Sequence, residues 1–210
     1  MIPVFPGHGP HLRIGLMGGS FNPPHEGHRH VALLALRRLA LDRLWLLVTP
    51  GNPLKAHDGL ASLEARIAAT RETASHPCID VTGIEAALGS DLTVDTISAL
   101  TSRLPQLRFV WIMGGDNLAS FHHWHRWRRI ADLVPIAVID RPGATHAALR
   151  SPAASALERF RIPESEAPTL SERTPPAWVY LHGRRSNLSS TALRAGIWPK
   201  NFIGTSQNGN

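Results

Sequence analysis

Residues 18–28, Gly-Gly-Ser-Phe-Asn-Pro-Pro-His-Glu-Gly-His, constrain the fold of this chain more than any other stretch. A mostly apolar segment, residues 12–17, runs into them and reads as a strand. Behind them Val31, Leu33, Leu34, Leu36, Leu39 and Leu41 recur at helical spacing among arginines. The stretch is therefore a strand–turn–helix junction. At such a junction the first N–H groups of the helix lack intrahelical partners and carry the positive end of its dipole, which suits a phosphate. Gly18 and Gly19 are expected to let a ligand approach the backbone closely and to tolerate unusual dihedrals. His25 and His28, three apart, share a face and can address one anion. Neither a Gly-x-x-x-x-Gly-Lys loop nor a Gly-x-Gly-x-x-Gly turn after a strand is present to offer a rival phosphate site.

Beyond this junction, apolar runs and amphipathic segments alternate. Strands are expected at residues 44–49, 79–83, 109–113, 135–139 and 178–181. Helices are expected over 60–75, opened by Ser62, over 93–104, capped by Thr93, and over 151–161, capped by Ser151. The alternation predicts an α/β fold: a Rossmann-like, doubly wound parallel sheet with helices on both faces. It fills a single domain over residues 13–204, after an N-terminal extension (1–12) and before a disordered tail (205–210). Residues 163–176, rich in proline, serine and glutamate, read as a mobile surface loop.

Composition narrows the function classes. A net charge of +6 invites a nucleic-acid reading, but the arginines are scattered and no nucleic-acid-binding signature accompanies them. A basic surface equally steers phosphate anions, and nucleic acid is not expected as a partner. The lysines are Lys55 and Lys200 alone, in a chain that otherwise uses arginine. Every apolar run is broken before it could cross a membrane, and residues 1–10 lack the apolar core of a signal peptide. The single cysteine, Cys78, excludes an internal disulfide and fits a reducing compartment, so a cytoplasmic protein is expected. Oligomeric state is open.

The junction, with Phe21, Pro23, His25, Gly27 and His28 in register, resembles the HxGH signature of the nucleotidyltransferase superfamily, whose members transfer AMP or CMP from a nucleoside triphosphate. Four strand-end segments resemble one branch of it, the nicotinate-nucleotide adenylyltransferases. Residues 50–55 (Pro-Gly-Asn-Pro-Leu-Lys) keep part of that branch's Pro-Asn turn, without its doubled proline and histidine. Residues 92–96 (Leu-Thr-Val-Asp-Thr) resemble its Ser-Tyr-Thr-x-Asp-Thr, with Leu92 in place of tyrosine. Residues 113–118 (Met-Gly-Gly-Asp-Asn-Leu), followed by Phe121, Trp124 and Trp127, resemble its Gly-x-Asp and aromatic pattern. Residues 188–194 (Leu-Ser-Ser-Thr-Ala-Leu-Arg) resemble the superfamily's second signature, Ile-Ser-Ser-Thr-x-Ile-Arg.

The resemblance implies adenylyl transfer from ATP to nicotinate mononucleotide, giving deamido-NAD and pyrophosphate by direct in-line attack. His28 is implied at the α-phosphate, His25 along the triphosphate and Arg194 at its β,γ end. Gly18, Gly19, Ser20, Phe21, Lys55, Gly114, Asp116, Ser189, Ser190 and Thr191 are implied in ATP binding. Asn52, Thr93 and Trp124 fall to the acceptor, Trp124 stacking on the pyridine ring, whereas Trp127 is expected in the core. Mg²⁺ is expected on the phosphates rather than on protein ligands. His122, His123 and His125 lack the spacing of a metal site, since neighbouring histidines on a helix diverge. Nicotinamide mononucleotide or another phosphorylated acceptor is the alternative, and a non-catalytic nucleotide-binding protein a remote one.

Overall fold

The computed structural model describes residues 5–50, 60–140 and 145–182. Its strands are β1 (Arg13–Gly19), β2 (Arg43–Val48), β3 (Ile79–Thr82), β4 (Arg108–Gly114), β5 (Ile136–Ile139) and β6 (Trp178–Leu181). They form one sheet in the order β3-β2-β1-β4-β5-β6, with every pairing parallel. The helices between them are α1 (Glu26–Arg38), α2 (Leu63–Thr73), α3 (Ile84–Leu88) and α4 (Thr93–Arg103), then α5 (Gly115–Ser120), α6 (Trp127–Leu133), α7 (Thr145–Leu149) and α8 (Pro152–Leu157). A parallel sheet is covered on both faces, so its strands are apolar on both sides. In β4, Phe109, Trp111 and Met113 join one core with Ile97 and Leu100 of α4 and Ile130 of α6. Val110 and Ile112 join the other, with Val31, Leu34 and Ala35 of α1. The expected doubly wound α/β architecture is the observed one.

This topology places the site. From β1 the chain winds outward through β2 to β3, then returns to set β4 on the opposite edge of β1. The winding reverses between β1 and β4, and sheets of this kind take ligands in the crevice at the carboxyl ends of such a pair. Those ends are Gly18-Gly19 and Gly114. At the other rim, Arg13 pairs with Asp42 at 2.8 Å and Arg43 with Asp80 at 2.7 Å.

Several local expectations hold. The Ser62 hydroxyl accepts from the Ala65 N–H at 3.2 Å, and Ser151 caps α8 through the Ala154 N–H at 3.2 Å. Helices α3, α5 and α7 leave no signal in the sequence, being too short for a 3.6-residue period to show.

Three expectations are corrected. First, the glycine pair is not a turn, because β1 runs through both Gly18 and Gly19. Second, residues 163–176 do not form a mobile loop. Glu164–Glu172 is a 3-10 helix whose Ala167 and Leu170 are fully buried against Val179 and Leu181 of β6. Their spacing of three is the 3-10 period, which the polar composition concealed. Third, Thr93 is not the cap of α4. Leu92 occupies that position, and Ser90 organises the turn by accepting the Leu92 N–H at 3.1 Å and donating to Asp95 at 2.9 Å. The tail expected at 205–210 lies outside the described residues.

Candidate active site

At the carboxyl end of β1 the glycines make room for large rings. A Cβ on Gly18 would lie 2.9 Å from Cη2 of Trp111, and one on Gly19 would lie 3.1 Å from Cε2 of Phe21. Neither glycine takes the unusual dihedral that it could tolerate, and neither has a positive φ. That conformation falls to Phe21, at φ 46°, unusual for a bulky side chain. Such a residue persists where its surroundings fix it. Here its ring is 1% exposed and lies 4.9 Å from the His28 ring, centroid to centroid. Ser20 links Gly19 to Phe21, half-buried at the strand end.

From this turn the chain enters α1 with His25 at the N-cap, in extended conformation. The His25 and His28 rings lie 3.8 Å apart with an interplanar angle of 30°. Nδ1 of His28 accepts the backbone N–H of His25 at 3.2 Å. An accepting Nδ1 puts the proton of the neutral imidazole on Nε2, which becomes the donor. The expected face-sharing pair is thus present at the mouth of α1, with the helix dipole behind it.

Across the crevice, β4 ends in Gly114 and α5 opens with Gly115, both buried, and Asp116 is exposed in the first turn of α5. Trp124 follows a 3-10 turn (Phe121–His123) rather than lying on an α-helix. Its half-buried indole meets Trp111 at 6.4 Å and Phe121 at 5.4 Å, with interplanar angles of 78° and 75°. Neither neighbour stacks on it face to face. Trp127 is 8% exposed and belongs to the core, as expected. The His122 and His123 rings do not diverge: the 3-10 turn brings their centroids to 3.8 Å. Thr93 is half-buried at the first position of α4, on the sheet face that also carries Trp111. Asn52, Lys55, Ser189, Ser190, Thr191 and Arg194 lie outside the described residues.

Four polar groups near these strand ends escape a reading of the sequence. Arg66 of α2 is 2% exposed and donates to the carbonyls of Ser20, Thr49, Pro50 and Ala61. Its only sequence signal is a polar pair, Arg66 and Thr70, at i,i+4 on the helix face that the fold buries. Asp140, after β5, accepts at Oδ1 from the hydroxyls of Tyr180 and Thr145, both at 2.6 Å. Burial and the Asp140 carboxylate push the Tyr180 phenol upward, so it stays a donor that ties β6 to β5. Glu164 closes the same end, accepting from Arg38 at 2.6 Å and from the His182 N–H at 3.0 Å.

The fourth group is Glu85 of α3, 4% exposed, which accepts from Thr96 at 3.4 Å and takes a side-chain hydrogen bond from Thr49. Burial outweighs these bonds and pushes its carboxyl up to about 7. Between the ordinary carboxylate range and that value, the folded chain binds more protons than the unfolded one. Stability therefore falls as pH rises through this window. Relative to Glu85→Gln, the wild-type chain is expected to lose about 3 kcal/mol between about pH 4 and about pH 8. Urea denaturation of both proteins at the two pH values checks this, and parallel pH dependence would contradict it.

Residues 16–196 match the model of the cytidylyltransferase-like family. A Bradyrhizobium protein is 56% identical over 183 residues, spanning 87% of this chain and 95% of its own. A Methylorubrum extorquens protein is 58% identical over 183 residues, with coverage of 87% and 99%. An Agrobacterium fabrum protein is 56% identical over 181 residues, with coverage of 86% and 97%. Each bears the name probable nicotinate-nucleotide adenylyltransferase. Among solved structures, Plasmodium falciparum nicotinic acid mononucleotide adenylyltransferase complexed with APC superposes with a TM-score of 0.65. Its identity to this chain is 16%, over 92% of this chain and 87% of that one. That enzyme complexed with NaAD gives 0.62 at 15% identity, over 88% and 83%. At such identity the likeness concerns the fold.

Proposed function

Because this chain belongs to the cytidylyltransferase-like family, among the nicotinate-nucleotide adenylyltransferases, we propose that it adenylylates nicotinate mononucleotide with ATP. A phosphate oxygen of the mononucleotide attacks the α-phosphorus. The bond from that phosphorus to the bridging α,β oxygen breaks, and pyrophosphate leaves with the electron pair. The products are deamido-NAD and pyrophosphate. The observation that carries this reading is the stacked His25–His28 pair at the mouth of α1, at the point where the winding of the sheet reverses.

The acceptor phosphate needs no general base, since its second pKa is about 6 and it is mostly dianionic near neutrality. What remains is alignment and stabilisation of charge. His28, with Nδ1 occupied by the His25 N–H, offers Nε2–H to the α-phosphate. His25 and the first N–H groups of α1 serve the triphosphate, together with Ser20, Lys55, Ser189, Ser190, Thr191 and Arg194. Gly114 and Asp116 fit the adenosine side, Asp116 by accepting from ribose hydroxyls. Thr93, Asn52 and Trp124 fit the acceptor, with the N-terminus of α4 offered to its carboxylate. The phosphate side of the crevice presents nitrogen donors (His25, His28), whereas Mg²⁺ demands oxygen. The ion is therefore read as arriving on the triphosphate, whose charge it would partly neutralise.

The setting is read as the cytoplasm, on the single cysteine of the sequence. Among the described residues no helix is long and apolar enough to cross a membrane. Pyrophosphate release from Mg-ATP plus nicotinate mononucleotide, with deamido-NAD identified by mass in equal amount, tests the reading. ATP binding without either product would favour the non-catalytic alternative.

A further inference from the structure

Arg66 stands out as a buried cation whose acceptors, among the described residues, are all backbone carbonyls. Its Nε donates to the carbonyl of Ala61 at 2.9 Å, and Nη1 to those of Ser20 at 2.8 Å and Thr49 at 2.7 Å. Nη2 reaches the carbonyl of Pro50 at 3.2 Å. Among the described residues no carboxylate lies within ion-pair distance of it. A charge desolvated this far is tolerated only when its donors are well matched, and only guanidinium presents a rigid fork of several N–H groups. Fixing an exposed loop would not require a desolvated arginine, because a short polar side chain at the loop itself does that at lower cost.

Three of the four carbonyls, those of Ser20, Thr49 and Pro50, belong to segments that carry different parts of the site. Ser20 lies in the turn between Gly19 and the His25–His28 pair. Thr49 and Pro50 follow β2 and lead into the segment of Asn52 and Lys55. The Thr49 N–H also donates to the Gly19 carbonyl at 3.0 Å, so the two strand ends are joined both directly and through Arg66. Thr49 in turn bonds to Glu85, and Glu85 accepts from Thr96 on α4, one turn beyond Thr93. Arg66 is thus the first link in a polar chain from the phosphate side of the crevice to the acceptor side.

We propose that Arg66 is a positioning residue that sets the separation of the two substrates. It does so by holding the carbonyls of Ser20 and Thr49–Pro50 in one frame. The proposal rests on the adenylyl-transfer reading, in which nothing activates the nucleophile and the rate depends on alignment at phosphorus. Misplacement by about 1 Å can lower such a rate about 100-fold. A residue that acts through alignment should therefore show itself in kcat rather than in the binding of either substrate.

Arg66→Lys keeps the buried charge but cannot span the carbonyls, and Arg66→Gln removes the charge while keeping donors. Both are assayed with kcat normalised to the titrated active fraction, alongside KM and separately measured Kd for each substrate and the melting temperature. Arg66→Lys is expected to lower kcat per active site at least about 10-fold, with Kd for both substrates within about threefold. Arg66→Gln is expected to lower kcat further. A merely structural residue would lower the melting temperature or active fraction and leave kcat per site unchanged. That result overturns the proposal. So do a rise in KM with kcat intact, and failure of both variants to fold. The wild-type chain separates this from failure of the functional reading: no product from wild type overturns the reading, whereas normal wild-type turnover matched by Arg66→Lys overturns the Arg66 role alone.

Discussion

His28→Ala is expected to lower kcat by about 100- to 1,000-fold, the loss seen when one preorganised donor to a developing oxyanion is removed. The KM values should change far less, because the donor is spent on charge that grows in the transition state rather than on the bound substrates. Folding should survive, since the ring is half-buried at the mouth of α1 and its packing partners are Phe21 and His25. His28→Asn provides a control that retains a side-chain donor and is expected to keep part of the rate. Circular dichroism and steady-state kinetics on both variants decide the matter. Turnover near wild type in His28→Ala would remove this side chain from the chemistry.

Trp124→Ala is expected to raise KM for the acceptor by about 10- to 100-fold, the worth of one aromatic stacking platform. KM for ATP should stay within about threefold. The asymmetry follows from the acceptor role proposed for Trp124. Trp124 meets Trp111 and Phe121 in T-shaped contacts, so its orientation is set by neighbours that do not stack on it. Trp124→Phe should recover much of the loss, because a smaller ring keeps a π-face. Equal changes in both KM values would show that the indole supports the crevice as a whole and does not stack on the pyridine.

The sequence was legible where one residue type had one physical reason. The apolar runs could be little else than buried parallel strands, and Ser62 and Ser151 cap helices as serine before an amphipathic run does. His25 and His28 were legible because a spacing of three after a strand forces them together. What stayed hidden was tertiary. Gly18 and Gly19 suggested loop freedom, yet their role depends on Trp111 and Phe21, and no local pattern announces that the large rings pack there. Residues 163–176 looked mobile because their two buried side chains repeat at three rather than at 3.6. Arg66 could not be told from other arginines, since its acceptors are backbone carbonyls from three separate segments. Backbone acceptors leave no mark in a sequence.

The most direct test of the central claim offers Mg-ATP with nicotinate mononucleotide, nicotinamide mononucleotide and phosphopantetheine separately, and follows pyrophosphate. kcat/KM is expected to be highest for nicotinate mononucleotide, and Trp124→Ala is expected to lower it for both pyridine mononucleotides. A higher kcat/KM for either other acceptor, or no pyrophosphate with any of them, would contradict the claim.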